Sequence, residues 1–100
     1  MMNRTEHLLV CLMEECDEVG QRCSKALRFS LSEVQPGQPL SNAERIVGEL
    51  KDLITIAEML VECGAIPDFT RSFPEVAAKA MKVEKFMELA RAQGVLEPLP

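Results

Sequence analysis

The chain has 100 residues, a formal net charge of −5, no Trp and no Tyr. This length fits one domain with a modest core, and the abundance of Leu, Ala, Val, Met and Glu favours helix over strand. The negative charge argues against a nucleic-acid partner, because contacts to a phosphate backbone require clustered Lys and Arg, and the 11 basic residues are scattered.

The sequence contains no recognisable membrane or secretion segment. No apolar run approaches the about 20 residues that span a bilayer, and the N-terminus lacks the basic-then-apolar order of a signal peptide. We therefore expect a soluble, cytoplasmic protein. The four cysteines show neither a Cys-x-x-Cys pair nor zinc spacing with histidine, which predicts reduced thiols that act as small apolar side chains. They are Cys11, Cys16, Cys23 and Cys63.

The first helix is predicted from about Arg4 to about Arg28. Asn3 followed by Glu6 has the pattern of a capping box, with Thr5 as the alternative cap. Apolar or small residues then recur every three or four positions, which is typical of one amphipathic stripe. The stripe comprises Leu8, Leu12, Cys16, Val19, Cys23 and Leu27.

Two carboxylates three residues apart lie on one flank of this stripe. The residues of that flank are Glu15, Glu18, Arg22 and Lys25. Glu14 and Asp17 fall on the other side of the helix at about 100° per residue. The alternative interpretation is a solvated charged edge that is stabilised by an i, i+4 pair between Glu18 and Arg22.

Residues 29 to 40 are predicted to connect the first two helices without forming a continuous helix. Pro36, Gly37 and Pro39 exclude one. A substrate-specific loop or lid and a plain connector are both consistent with this length. Phe29 at the start of the segment is a candidate to stack on a base or to seal the end of the core.

The second helix is predicted to begin near Asn42, at the capping box Ser41-Asn42-Ala43-Glu44, and to end before Gly64. It carries a second pair of carboxylates on one face, Glu49 and Asp52. Its apolar surface is wider than one neighbouring helix could cover. We therefore predict a homodimer or a dimer-based tetramer, because two chains can complete a helical bundle that one cannot.

The third helix is predicted from about Phe73 to about Ala92. A capping box, Ser72-Phe73-Pro74-Glu75, precedes it, with proline in the first turn. The tail from about residue 95 is expected to be poorly ordered. The predicted fold is therefore all-α, with three long helices and a short connecting segment, in a bundle completed by a second chain.

The two acidic pairs predict a cation site. If the first two helices pack together, four carboxylates converge on one small volume, which is unfavourable without a counter-charge. Mg²⁺ takes a few carboxylates, keeps some waters and takes further ligands from substrate phosphates. The residues therefore indicate a Mg²⁺ site, in which Mn²⁺ can substitute, and a phosphate substrate.

The ordered motifs Glu15-x-x-Glu18 and Glu49-x-x-Asp52 resemble those of the all-α nucleoside triphosphate pyrophosphohydrolases. This MazG-like group includes helical dUTPases and phosphoribosyl-ATP pyrophosphohydrolase. The resemblance covers roughly Glu6 to Phe86 and implies a single MazG-like helical domain over residues 1–100. The 30 residues between the motifs are a somewhat long separation for the family.

The resemblance implies hydrolysis of a (d)NTP to a (d)NMP and pyrophosphate, in nucleotide-pool house-cleaning. Glu15, Glu18, Glu49 and Asp52 are then the metal ligands and catalytic residues. The candidates for phosphate binding are Lys25, Lys82 and Lys85, and those for base or sugar binding are Asn42 and Phe29. Two alternatives are a non-catalytic binding or regulatory module that keeps the fold, and an enzyme closer to phosphoribosyl-ATP pyrophosphohydrolase.

Overall fold

The computed structural model describes residues 1–100 and confirms an all-helical chain with three helices. They are α1 (Arg4–Phe29), α2 (Asn42–Glu62) and α3 (Phe73–Ala92). The only strand-like feature is an isolated bridge between Val34 and Ser41. None of the helices combines the length and the apolar character that crossing a bilayer requires.

Each helix begins with a complete capping box, as the sequence predicts. The N-caps are Asn3, Ser41 and Ser72. At the start of α1, the Asn3 side chain accepts the Glu6 N–H at 2.8 Å, and the Glu6 carboxylate accepts the Asn3 N–H at 3.2 Å. Because each box satisfies backbone donors that the helix leaves unpaired, the three starts are fixed by local sequence.

The chain divides into two compact units, Met1–Asp68 and Phe69–Pro100. In the first unit α1 and α2 pack against each other. They run antiparallel: the Thr5 hydroxyl near the start of α1 lies 3.9 Å from the Cys63 thiol at the end of α2. In the second unit, no residue of α3 is buried.

The interface between α1 and α2 combines apolar and charged positions. The fully or nearly buried apolar residues are Leu8, Ala26 and Leu60.

The inward residues of α2 recur at spacings of three and four, which is the spacing of a helix-packing seam. They are Ile46, Glu49, Leu53, Ile56 and Leu60. In α1 the inward residues also recur at alternating spacings of four and three, through Leu8, Leu12, Glu15, Val19, Arg22 and Ala26. Charged residues therefore occupy positions that apolar residues hold elsewhere in the same interface.

The predicted apolar stripe of α1 is wrong in part. Cys16, Cys23 and Leu27 are exposed, and Leu27 is 89% exposed. Each follows a seam residue by one position and is therefore turned by about 100° away from α2. All four cysteines are free, as predicted. Cys11 is half-buried, but Cys16, Cys23 and Cys63 are exposed, so these three do not pack as small apolar side chains within one chain.

The connecting segment is hydrogen-bonded to the start of α2. The Asn42 side chain is 1% exposed, and its amide donates to the Ser30 carbonyl at 2.9 Å and to Glu33 Oε1 at 3.2 Å. The Ala43 N–H donates to the Leu31 carbonyl at 2.9 Å. The Asn42 amide is therefore used to hold the connecting segment, and binding of a base or sugar by Asn42 stays a prediction.

Candidate metal centre

Three of the four predicted ligands come together between α1 and α2. Glu15, Glu18 and Glu49 each offer one carboxylate oxygen, and these oxygens all lie within 4.8 Å of one another. Glu15 and Glu49 are half-buried in the helix seam. The two acidic motifs, which are distant in the sequence, therefore meet within a single chain.

Asp52, the fourth predicted ligand, lies at the rim of this acidic cluster. It follows Glu49 by one helical turn, is exposed, and is outside the set of oxygens within 4.8 Å. Its charge nevertheless acts on the cluster, since repulsion from Asp52 contributes to a raised pKa of Glu15. We use the term acidic cluster for Glu15, Glu18 and Glu49, with Asp52 as its rim residue.

The cluster carries more negative charge than its surroundings stabilise. Partial burial raises the pKa of Glu15 above the ordinary value of 4.5, and repulsion from Asp52 and Glu49 raises it further. For Glu18, a hydrogen bond with the Glu49 carboxyl group raises the pKa most, followed by repulsion from Glu15. A bound proton or a bound cation relieves both effects.

Two buried carboxylate oxygens of the cluster have no hydrogen-bond partner. They are Oε2 of Glu15 and Oε2 of Glu49. A buried acceptor without a partner is costly, and a cation satisfies it. Opposite ligands of one Mg²⁺ lie at most about 4.2 Å apart, given metal–oxygen distances of about 2.1 Å. The observed limit of 4.8 Å therefore requires only a small closing movement, and the donor set fits a hard divalent ion.

Arg22 places a positive charge beside the cluster. Its Nε lies 3.5 Å from Glu49 Oε1, and the exposed fractions of the two side chains are 19% and 16%. The solvated-edge alternative paired Arg22 with Glu18, whereas the ion pair in the structure joins Arg22 to Glu49 of the opposite helix. The sequence contains a signal for this contact, because Arg22 follows Glu15 by seven residues and so lies on the same helix face.

The predicted phosphate-binding lysines lie in different units. Lys25 is half-buried, one turn after Arg22 on α1. Lys82 and Lys85 are exposed on α3, which belongs to the second unit. Phosphate binding by all three stays a prediction.

Phe29 is 43% exposed, and the Arg28 guanidinium carbon lies 4.8 Å from the centre of its ring. A stacking role for Phe29 also stays a prediction.

An open apolar hollow lies about one helical turn from the cluster, and no pattern in the sequence predicts it. It forms where the end of α1, the connecting segment and the start of α2 meet. Its lining residues are Cys23, Ala26, Leu27, Leu31 and Ile46. Ile46 lies one turn before Glu49, and Cys23 directly follows Arg22, so the hollow begins about one turn from the acidic cluster.

Comparisons of the chain with protein-family models, with curated proteins and with solved structures found no match. The distinctive chemical feature of the chain is a set of three converging carboxylates, of which two buried oxygens have no hydrogen-bond partner.

Proposed function

We propose that this protein is a Mg²⁺-dependent nucleoside triphosphate pyrophosphohydrolase of the MazG-like type. The observation that supports the proposal most is the convergence of Glu15, Glu18 and Glu49, of which two oxygens are buried and unsatisfied. The order of the motifs along the chain gives independent support, because Glu-x-x-Glu precedes Glu-x-x-Asp on consecutive helices, as in that family.

The charge of the cluster favours a metal-bound polyphosphate over a free one. A nucleoside triphosphate carries roughly four negative charges, which the carboxylates would repel unless bound cations reverse the sign of the local field. When bound, Mg²⁺ supplies that positive charge and makes a coordinated water more acidic. In this proposal Glu15, Glu18 and Glu49 hold the metal, and Asp52 adds a ligand from the rim.

The proposed reaction adds water across the phosphoanhydride bond between the α- and β-phosphoryl groups. The products are a nucleoside monophosphate and pyrophosphate, for deoxynucleotides or ribonucleotides. One carboxylate of the cluster positions the attacking water. A role in removing unwanted nucleotides from the cellular pool follows from the same proposal.

We place the base of the substrate in the apolar hollow beside the cluster. The hollow is lined almost entirely by apolar side chains, which can cover the faces of a base, and it begins about one turn from Glu49. Phe29, the last residue of α1, is proposed to stack on the base. Asn42 is not part of the proposed base site, because its amide holds the connecting segment.

We further propose that two chains complete the bundle, as a homodimer or a dimer-based tetramer. Large apolar side chains on α1 and α2 remain exposed, and adjacent apolar patches of this kind are typical of association surfaces. Examples are Met13, Leu27, Val47 and Ile54. Sedimentation at several protein concentrations measures the assembly, and a monomer at all of them would contradict this part of the proposal.

Pyrophosphate release from a panel of dNTPs and NTPs tests the enzymatic proposal. The purified chain is assayed with Mg²⁺, with Mn²⁺ and with EDTA. We expect metal-dependent release, and a loss of roughly a hundredfold or more in Glu49→Gln, the scale on which removal of one electrostatic stabiliser acts. Glu58→Gln is the matched control, because Glu58 is an exposed glutamate on the same helix.

The outcome separates the alternatives. Equal rates for Glu49→Gln and the parent would overturn the assignment of the cluster. Release of pyrophosphate from phosphoribosyl-ATP alone would identify the related enzyme type instead. No release from any substrate, with a folded chain that still binds nucleotide, would indicate a binding or regulatory module.

A further inference from the structure

We infer that Arg22 is the resident cation of the acidic cluster in the metal-free chain, and that it binds a phosphate group of the substrate once a divalent ion takes its place. The inference rests on the proposed function and deepens it. It assigns to one side chain the coupling between metal binding and phosphate binding.

The position of Arg22 supports the first step. Its side chain lies in the seam between α1 and α2 and contacts Glu49, with 3.5 Å between Nε and Oε1. Arg22 also follows Glu18 by four residues, so the two side chains are neighbours on one helix face. A guanidinium group in this place partly neutralises carboxylates that otherwise repel one another.

The contact between Arg22 and Glu49 is incomplete. Arginine usually binds a carboxylate through two parallel N–H donors at about 2.7 to 2.9 Å. Here Nε makes no hydrogen bond, and Oε2 of Glu49 and Oε2 of Glu15 accept none. The single positive charge of Arg22 therefore faces three carboxylates, and buried oxygens of two of them remain without a hydrogen bond. A divalent ion carries twice the charge and approaches oxygen to about 2.1 Å, so it competes favourably with Arg22 for Glu49.

The burial of Arg22 supports the second step. Its side chain is only 19% exposed, so a guanidinium group that has lost Glu49 cannot be fully hydrated in place. A charged group in such surroundings needs another anion. The anion that enters with the metal is a polyphosphate, and the fork of donors in arginine matches the oxygens of a phosphate group. Arg22 therefore favours a metal ion that arrives with phosphate over a metal ion that arrives alone.

Calorimetric titrations of the full chain test this coupling without an activity readout. One series measures binding of MgCl₂ alone, and the other measures binding of pyrophosphate at saturating Mg²⁺. For Arg22→Gln we expect Mg²⁺ alone to bind about tenfold more tightly, and pyrophosphate to bind about tenfold more weakly, each corresponding to about 1.4 kcal/mol. Arg4→Gln removes the same charge from an exposed position on the same helix and is expected to change neither constant.

Arg22→Lys keeps the charge without the fork of donors, and it guards against a variant that fails to fold. We expect Arg22→Lys to leave Mg²⁺ binding close to that of the parent and to weaken pyrophosphate binding. Circular dichroism at each titration temperature verifies that the variants are folded.

The inference and the proposed function fail in different ways. If the parent binds Mg²⁺ and Arg22→Gln binds Mg²⁺ no more tightly, or binds pyrophosphate equally well, the role of Arg22 is wrong and the metal site stands. If neither the parent nor Arg22→Gln binds Mg²⁺, the proposed function and the inference both fail. If only Arg22→Gln binds Mg²⁺, Arg22 is confirmed as the competing cation, and the proposed Mg²⁺ dependence of the parent is wrong.

Discussion

Arg22 of α1 and Glu49 of α2 face each other inside the helix pair, with 3.5 Å between Nε and Oε1. Both occupy seam positions, and the same seam is filled by Leu8 and Leu60 near the opposite end of the pair. Packed apolar residues at the charged positions would often be as stabilising or more so. Charged residues at interface positions that would otherwise favour apolar packing are expected at functional sites.

Replacement of Glu15 by glutamine should stabilise the metal-free chain. The carboxylate of Glu15 is partly buried and is repelled by Asp52 and Glu49, and glutamine removes the charge while nearly preserving the shape. We expect thermal denaturation in EDTA to show a midpoint a few degrees above that of the parent. Adding Mg²⁺ should raise the midpoint of the parent more than that of Glu15→Gln, because the variant lacks one ligand.

Glu58→Gln is the control for Glu15→Gln, since it makes the same chemical change at an exposed site. It should leave both the midpoint in EDTA and the response to Mg²⁺ unchanged. A lower midpoint for Glu15→Gln in EDTA would mean that the Glu15 carboxylate is net stabilising, despite its partial burial and its repulsion from Asp52 and Glu49.

The stability of the metal-free chain should fall with rising pH in the range where Glu15 and Glu18 titrate. Their pKa values in the folded chain lie above the ordinary value of 4.5. The folded chain therefore keeps protons that the unfolded chain has released, and the associated stability is complete below about pH 4.5 and is lost as the pH rises through the folded pKa values. Urea denaturation across this range measures the effect.

The comparison with Glu15→Gln separates the contribution of Glu15 to this pH dependence from the contributions of other titrating groups. The free energy of unfolding of the variant should exceed that of the parent by an amount that grows as the pH rises above about 4.5. Saturating Mg²⁺ should remove the difference or reverse it. A difference that stays constant from acid to neutral pH would contradict the titration of Glu15.

The contribution of Glu44 to stability should depend on pH in the opposite direction. Hydrogen bonds from the backbone N–H and then the hydroxyl of Ser41 lower the pKa of Glu44 below 4.5. Its contribution to stability is therefore present above about pH 4.5 and is lost as the pH falls through the lowered folded pKa. We expect Glu44→Ala to destabilise the chain at neutral pH and to match the parent in strong acid, as measured by urea denaturation. An effect of equal size at both pH values would indicate lost packing rather than a lost charged cap.

Asn42→Ala should release the connecting segment from α2. The substitution removes donors to the Ser30 carbonyl and to Glu33 Oε1 and leaves a carbonyl without its partner, at a cost of about 1–3 kcal/mol. Amide exchange of Ala43, whose N–H donates to Leu31, should become faster. Gln38→Ala, in an exposed part of the same segment, is the control, and equal exchange rates in the two variants would contradict this role for Asn42.

The helices could be predicted from the sequence because their signals are local. Asn3, Ser41 and Ser72 each stand three residues before a glutamate, and that spacing alone supplies the capping hydrogen bonds. The ends follow from residues that interrupt helices, such as Gly64, which has a φ of +79° just past the end of α2. Helix propensity and capping act within a few residues, so the helices can be predicted without knowing their contacts with distant parts of the chain.

The rotation of α1 about its own axis could be predicted only in part, since Leu8, Leu12 and Val19 of the predicted stripe do face inward. The apolar pattern favours Cys16, Cys23 and Leu27 as interior positions, whereas the structure turns the face with Glu15 and Arg22 toward α2. An apolar stripe shows which face avoids water, but it does not show which neighbour covers that face. The same limit applies to Arg22, whose contact with Glu49 crosses to the other helix and leaves no local signal in the sequence of α1 that names its partner.

The sequence by itself therefore determined the helical class, the three helix starts and the spacing within each acidic pair, because these depend on backbone periodicity and on contacts between near neighbours. Only the tertiary structure decided that Glu15, Glu18 and Glu49 meet, that Asp52 stays at the rim and that Asn42 is occupied by the connecting segment. The physical reason is that the side chains facing one another depend on the rotation and register of two packed helices, which no single helix encodes.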